Sequence, residues 1–265
     1  MAGWTPETPP ADHVESIVER ERQWHDSQEF RRGTAALVRT ILKRSIGEFN
    51  SFQELFDQFD AEGRDALDYG CGRGYITVRL AEAGAKSVTG IDLSVAEIDD
   101  ARQRAADHGV ADRITFIVGD AHHSPFPDAS FDLIVGAAIL HHLDLETSLR
   151  EVKRLLRPGG EAVFIEPLWH NPILRLGRRL SPSARTEDEH PLTTADWQLC
   201  ASIFPNFTHT ERELLTTPLM PLNVVLPHRG QAALARAVKR ADRRVIERFP
   251  SWSKYSRVTF LHLRP

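Results

Sequence analysis

Apolar and polar positions follow two different periods along this chain, and the change of period divides it into three stretches. Up to about residue 62 the spacing is helical. Residues 13–30 read as a charged helix. Thr34 can cap a second helix whose apolar face is Leu37, Ile41, Leu42, Ile46 and Phe49. Ser51 with Glu54 makes a capping box for a third, carrying Phe52, Leu55, Phe56 and Phe59. Residues 1–12 are Pro-rich and patternless, as a disordered end is.

From residue 63, short apolar runs alternate with helical spacing. Strands are expected at 66–69, 87–91, 114–118, 131–137 and 161–165. Helices are expected at 75–82, closed by Gly84, and from the Ser94–Glu97 capping box to His108, stopped by Gly109. A third is expected at 147–156, stopped by Pro158, Gly159 and Gly160. The run 131–137 is nearly all apolar, as a strand covered on both faces is. Strands alternating with helices imply a parallel sheet with right-handed crossovers.

Beyond 167 the pattern loosens. Residues 167–192 are rich in proline and charge and read as a long loop with a short helix around 173–180, the signature of a lid or binding segment. Thr193 with Asp196 starts a helix reaching Phe204, and 211–216 is a strand candidate. Residues 231–249 form an amphipathic helix with Leu234, Val238, Ala241, Val245 and Phe249 on one face, and 257–263 a last strand. The expected division is a helical extension at 1–62, a core at 63–166, and a lid with the final strands at 167–265.

Composition narrows the class. Of 265 residues, 41% are hydrophobic and 26% charged, which excludes a disordered chain. The longest uncharged apolar run, 133–140, is far short of the ~20 residues of a membrane helix. The polar, acidic N-terminus is no secretory signal, so a cytoplasmic protein is expected, without stable membrane insertion. Two cysteines cannot build a disulfide framework. The net charge of -4 hides an asymmetry: residues 1–170 sum to -11 and residues 171–265 to +7. An acidic main part argues against a nucleic-acid partner. The segment 229–248 sets seven basic residues against Asp242 and Glu247. It reads first as a solvated Arg-rich face or a contact in a homo-oligomer, and otherwise as an attractor of an anionic acceptor, a membrane surface or nucleic acid.

The strongest chemical signal is Asp68-Tyr-Gly70-Cys-Gly72-Arg-Gly74, between the first strand and its helix. Glycines there let a ligand approach the backbone, and the helix N-terminus offers free N–H groups. Asp92, ending the second strand, suits ribose hydroxyls. Asp120, ending the third, suits an adenine amino group. Dinucleotide binders share the first two features, but they prefer a sixth-position glycine, and here that position is Tyr75. A carboxylate at Asp68 would repel a pyrophosphate and suits an ammonium or sulfonium charge. That favours S-adenosylmethionine over NAD.

With these residues in place, 66–166 resemble the class I S-adenosylmethionine-dependent methyltransferases, close to the ubiquinone/menaquinone-type branch and to bacterial small-molecule methyltransferases. The matching segments are LDYGCGRG, VTGIDLS, GDAHHSPFPDASFDLIV, LHHL and RLLRPGGEAVFIEP. The resemblance implies an α/β, Rossmann-like, doubly wound seven-stranded sheet of order 3-2-1-4-5-7-6 with the last strand antiparallel. It implies cofactor contacts at Asp68, Gly70 and Gly72 for the methionine end, at Asp92 and Leu93 for the ribose, and at Asp120 and Ala121 for adenine. Ala137 and His142 match positions near the amino acid end and the methyl group. The N-terminal helices of this family fold over the cofactor, so Trp24 or Phe30 is expected to cover it.

Methyl transfer is an in-line displacement in which the protein supplies mainly proximity and alignment. A hydroxyl or acidic carbon needs a general base, and the candidates are His141, His142, Glu166 and His170. The two adjacent histidines are expected to point apart and not to share one job. Glu166 orients an acceptor or sits in a buried ion pair. His122 with His123 lacks metal-ligand spacing, and no metal is assigned. Arg185 to His190 packs Arg, carboxylates and His into the expected lid, as an active-site closure or a solvated loop. The expected partner is a small-molecule, natural-product-type acceptor methylated on nitrogen, oxygen or carbon. A lipid-linked or quinone-type acceptor, or a cofactor-binding regulator without transfer activity, are the competing readings.

Overall fold

A computed structural model describes residues 11–26, 51–180, 189–219 and 228–265. The helix expected within 34–49, Phe30 and the segment 185–188 lie outside the described residues, as does the side chain of Trp24. In chain order the elements are α1 (Ala11–Asp26), a 3-10 turn (Phe52–Asp57), β1 (Asp65–Tyr69), α2 (Tyr75–Glu82), β2 (Ser87–Asp92), α3 (Val95–Asp107) and β3 (Ile114–Val118). They continue with β4 (Phe131–Ala137), α4 (Leu145–Leu155), β5 (Leu156–Pro167), α5 (Pro172–Leu180), α6 (Asp196–Ile203), β6 (Thr208–Arg212), α7 (Thr216–Leu219), α8 (His228–Arg248) and β7 (Val258–Leu263).

The strands form one seven-stranded sheet of order β3-β2-β1-β4-β5-β7-β6. β1 to β5 pair in parallel, and β7 runs antiparallel to both β5 and β6. This is the expected order and the expected antiparallel strand. Alternate residues of the central strands go to opposite faces. Ile134 and Phe164 join one core with Tyr69, Leu149 and Leu261, while Leu133, Val135 and Val163 join the other with Leu80, Val88 and Phe260. Both faces are therefore covered, which accounts for the unbroken apolar runs in β4 and β5.

Four boundaries differ from the sequence expectation, each for a local reason. The Ser51–Glu54 capping box does not form: the Ser51 N–H donates to Glu213 Oε1 (2.6 Å), and Glu54 pairs with Lys239 (3.0 Å), so residues 52–57 take a 3-10 turn. Helix α4 starts two residues early because the Asp144 side chain accepts from the Thr147 N–H (2.9 Å). β5 runs straight through Pro158, Gly159 and Gly160, and the extra length is absorbed by a register shift opposite Phe131/Leu133. β6 stops at Arg212 because the N–H groups of Leu214 and Leu215 turn away from the sheet to the Asp242 carboxylate on α8.

Gly136 lies where β4 passes under Phe164; a Cβ there would sit 2.6 Å from the Phe164 ring. Gly136→Ala should therefore overpack the sheet and lower unfolding free energy by about 1–3 kcal/mol. Urea denaturation checks this, with the midpoint falling and the slope unchanged. An unchanged midpoint would contradict the packing described.

Candidate functional site

The first part of the site is the turn after β1. Gly70 has φ +73°, and a Cβ on it would collide with the Ile139 side chain at 2.4 Å. The turn thus presses directly on the loop that follows β4. The N–H groups of Gly70 and Cys71 both donate to the Ile91 carbonyl (3.0 and 2.9 Å). Asp92 links the turn to the next helix: Oδ2 accepts from the Gly72 N–H (2.8 Å) and Oδ1 from the Ser94 N–H (2.9 Å). Ser94 in turn caps α3 through the Glu97 N–H.

Asp68 is fully buried beneath this turn. Its Oδ2 accepts from the Thr77 hydroxyl (2.5 Å), but its Oδ1 has no hydrogen-bond partner. Burial pushes its carboxyl up to about 7, against the Thr77 hydrogen bonds and aided by the nearby Asp92 charge. A buried carboxylate oxygen without a donor is costly unless a cation completes it.

At the end of β3, Asp120 accepts from the His122 N–H (2.9 Å) and faces His122 Nδ1 (2.8 Å). His122 Nε2 accepts from the Asp144 N–H (2.9 Å), so the proton lies on Nδ1 and is donated to Asp120. Burial acts to raise the Asp120 carboxyl, but the hydrogen bonds from the His122 ring and backbone N–H outweigh it and hold it low. His122 is thus a buried structural histidine, while His123 is exposed. Ala121 is buried, and its carbonyl accepts from the Tyr69 hydroxyl. Leu93 and Ala137 are half-buried at the same edge of the sheet. No group of three potential metal ligands occurs among the described residues.

The second part lies beyond β4 and β5. Glu166 is fully buried; Oε1 accepts from the Ile139 and Leu140 N–H groups (2.9 Å each), and Oε2 faces His141 Nδ1 (2.7 Å). A carboxylate oxygen accepts only, so this contact places a proton on His141 Nδ1 and turns Nε2 away from Glu166. His142 is held by another carboxylate, Glu21 of α1, at 3.3 Å. The two imidazoles do not point apart as expected: their centroids are 4.2 Å apart, with planes tilted by 41°. They keep different carboxylates yet share one site. Burial acts to lower His142, but the Glu21 hydrogen bond and the charges of Glu21, Glu189 and Glu166 outweigh it and raise its pKa.

The segment 189–192 packs against this pair. The His190 N–H donates to the His141 carbonyl (2.7 Å), Glu189 pairs with Arg178 of α5 (2.5 Å), and Leu192 bridges to Leu168. Glu189 Oε1 lies 3.9 Å from His141 Nε2. Beside them is a cavity of about 400 Å³ lined by Ile17, Leu140, Leu143, Leu145, Trp169 and Leu192, with Asp144 and Asp196 adding carboxylates. Asp68, Asp92 and Asp120 do not line it, so it is separate from the turn after β1. His170 makes no hydrogen bond to the His141–Glu166 pair; its neighbour Trp169 forms the cavity wall.

Sequence reasoning missed Glu21 and Arg178 as members of this cluster, whereas Glu189 belongs to the 185–190 segment expected over the site. Glu21 carried a signal: it follows Val14 and Ile17 at helical spacing, on the buried stripe of a charged helix. A charge on the buried stripe of a helix needs a partner.

Residues 67–164 match the model of a family described as a methyltransferase domain. The chain is 42% identical over 99 residues to a 27-O-demethylrifamycin SV methyltransferase of Amycolatopsis mediterranei, covering 37% of this chain and 36% of that protein. It is 31% identical over 158 residues to a norajmaline N-methyltransferase of Rauvolfia serpentina, covering 58% and 51%. The chain thus spans about half the length, or less, of these curated relatives. A solved geranyl diphosphate C-methyltransferase from Streptomyces coelicolor, in complex with S-adenosyl-L-homocysteine, shares the fold at a TM-score of 0.61 and 18% identity, covering 98% of this chain and 99% of that one.

The turn after β1 fits S-adenosylmethionine: the unpartnered Asp68 oxygen suits an ammonium. Because a raised folded value means proton uptake on folding, Asp68 lowers stability as pH rises from about 4 toward about 7. Asp68→Asn should therefore raise the melting temperature of the ligand-free protein at about pH 8 by about 2–4 °C or more, while weakening S-adenosylmethionine binding more than about tenfold. In the unaltered protein the affinity should rise between about pH 6 and about pH 8, since the ionised carboxylate is the binding form. Calorimetric titration at several pH values checks both; a flat profile would contradict this role. Glu21→Gln should lower the pH at which the His142 ring titrates by NMR, and an unmoved titration would break the assigned pairing.

Proposed function

We propose that this chain, whose residues 67–164 match the methyltransferase domain model, transfers a methyl group from S-adenosylmethionine to a hydroxyl oxygen of a small-molecule acceptor. The observation that carries this reading is the buried His141–Glu166 pair, set on the sheet edge beside a turn that leaves Asp68 Oδ1 unpartnered. The contact between Gly70 and Ile139 brings the two parts together.

S-adenosylmethionine supplies an already activated methyl carbon on a sulfonium. On this reading Asp68 holds its ammonium, and Gly70 and Gly72 admit it close to the backbone. Asp92 with Leu93 receives the ribose, Asp120 and Ala121 the adenine, and Ala137 borders the methionine end. His141 takes the acceptor's hydroxyl proton on Nε2 while Glu166 fixes the Nδ1–H tautomer and later stabilises the imidazolium. A neutral amine needs no such base, which is why the dyad favours oxygen. His142, whose pKa the Glu21 carboxylate raises against the effect of burial, lies beside His141 and favours positive charge next to the forming oxyanion. The cavity beside the His141–Glu166 pair, walled by Leu140, Leu143, Leu145 and Trp169 and edged by Asp144 and Asp196, admits the acceptor, and closure over it excludes water. The natural-product relatives support an acceptor of that kind. No helix among the described residues is long and apolar enough to cross a membrane.

Labelled methyl transfer into a panel of hydroxylated natural-product acceptors tests the reading. His141→Ala should lower kcat by about 100-fold or more, with S-adenosylmethionine affinity retained. Glu166→Gln should lower kcat less and steepen its dependence on pH, because the tautomer is no longer enforced. Near-normal kcat in His141→Ala would remove the base from the proposal.

A further inference from the structure

Helix α8 carries a feature that methyl transfer does not use. Its inner face, Ala235 and Val238, packs on Leu215 and Leu219, and Asp242 on that face is buried. Its outer face presents Arg236, Arg240, Arg243 and Arg244, spaced i, i+4, i+7 and i+8, all exposed. Arg248 extends the stripe. Between residues 231 and 255 the one exposed acid is Glu247, and Glu54 pairs with Lys239 at the edge of the helix.

Exposed aromatic rings follow the C-terminal end of this helix, joined to it through Arg248. Phe249, Trp252 and Tyr255 are 44%, 50% and 42% exposed, and they are three of the nine exposed large apolar side chains among the described residues. The Phe249 and Trp252 rings stack at 5.1 Å, the Arg248 guanidinium lies 5.3 Å over Phe249, and the Lys254 ammonium lies 5.2 Å over Tyr255. Leaving this much apolar ring surface in water is unfavourable for a free surface.

We propose that this face docks the protein on an anionic lipid surface. Arginines in a row are attracted to acidic headgroups within a Debye length. Aromatic rings flanked by cations suit the headgroup boundary, where one side is apolar and the other wet. The inner face of α8 is already packed on the protein, so the helix lies on the surface and only the 249–255 corner enters it. A single-stranded nucleic acid fits less well. Phe249 and Trp252 cover each other's faces instead of offering separate platforms for bases. The inference is independent of the acceptor's identity.

The test is co-sedimentation of the full chain with phosphatidylcholine vesicles and with vesicles of roughly one-third phosphatidylglycerol at about 0.1 M salt. Binding is expected to the second and not the first, and to fall as salt rises. Arg243→Glu with Arg244→Glu should lower partitioning more than about tenfold. Phe249→Ser with Trp252→Ser should lower it several-fold. Unchanged S-adenosylmethionine affinity shows that both variants are folded. Absence of binding to the anionic vesicles overturns the proposal. So does binding that ignores either pair of substitutions, or tighter binding to DNA than to the vesicles. A dimer in solution that dissociates on the aromatic substitutions overturns it as well, by making the face a contact between copies.

Discussion

The carboxylate of Glu166, fully buried at the end of β5, receives the backbone N–H groups of Ile139 and Leu140 and faces the imidazole of His141. One side chain thereby sets the path of three consecutive residues after β4. Much of the site hangs from that path. Ile139 closes against Gly70 and limits the turn after β1. Leu140 forms part of the cavity wall, and the His141 carbonyl anchors the lid at His190. Ala138, just before the loop, holds a left-handed φ of +55°, so strain is stored where the strand breaks away. A single lost acceptor would therefore disturb the cofactor turn, the cavity and the lid together.

Around this clamp the charge is unbalanced by design of the sequence. Glu21, Glu166 and Glu189 converge on two neighbouring imidazoles from an N-terminal helix, a sheet strand and the segment after α5. Asp68 sits buried with one oxygen unpartnered. The carboxylates of the first group are partnered within the protein, whereas the orphaned Asp68 oxygen is unfavourable until positive charge reaches it. The site has given up stability for a function, whereas the sheet beneath it, with apolar cores on both faces, provides it.

Most of the fold was legible because each element of residues 63–166 is bounded by local chemistry. The Ser94 cap, the stops at Gly84 and Gly109 and the apolar run of β4 all act within a few residues. Two of the expectations that failed depended on distant partners. Ser51 was drawn to Glu213 and the stretch 214–216 to Asp242, across separations that no periodicity reveals. The same holds at the site. Asp68, Asp92 and Asp120 were visible as strand-end residues. The pairing of His141 with Glu166, and of His142 with Glu21, depends on tertiary proximity alone. The close approach of the two histidine rings contradicted a simple rule about neighbouring side chains, because a tight 3-10 turn at Leu140–His142 brings them onto one side.

The central claim is that the crevice at the end of β1 and β2 holds a sulfonium cofactor and not a dinucleotide. Calorimetric titration of the full chain with S-adenosylhomocysteine and, separately, with NAD tests it most directly. The account predicts one S-adenosylhomocysteine bound per chain and no measurable heat with NAD. Saturable binding of NAD, with none for S-adenosylhomocysteine, would contradict it.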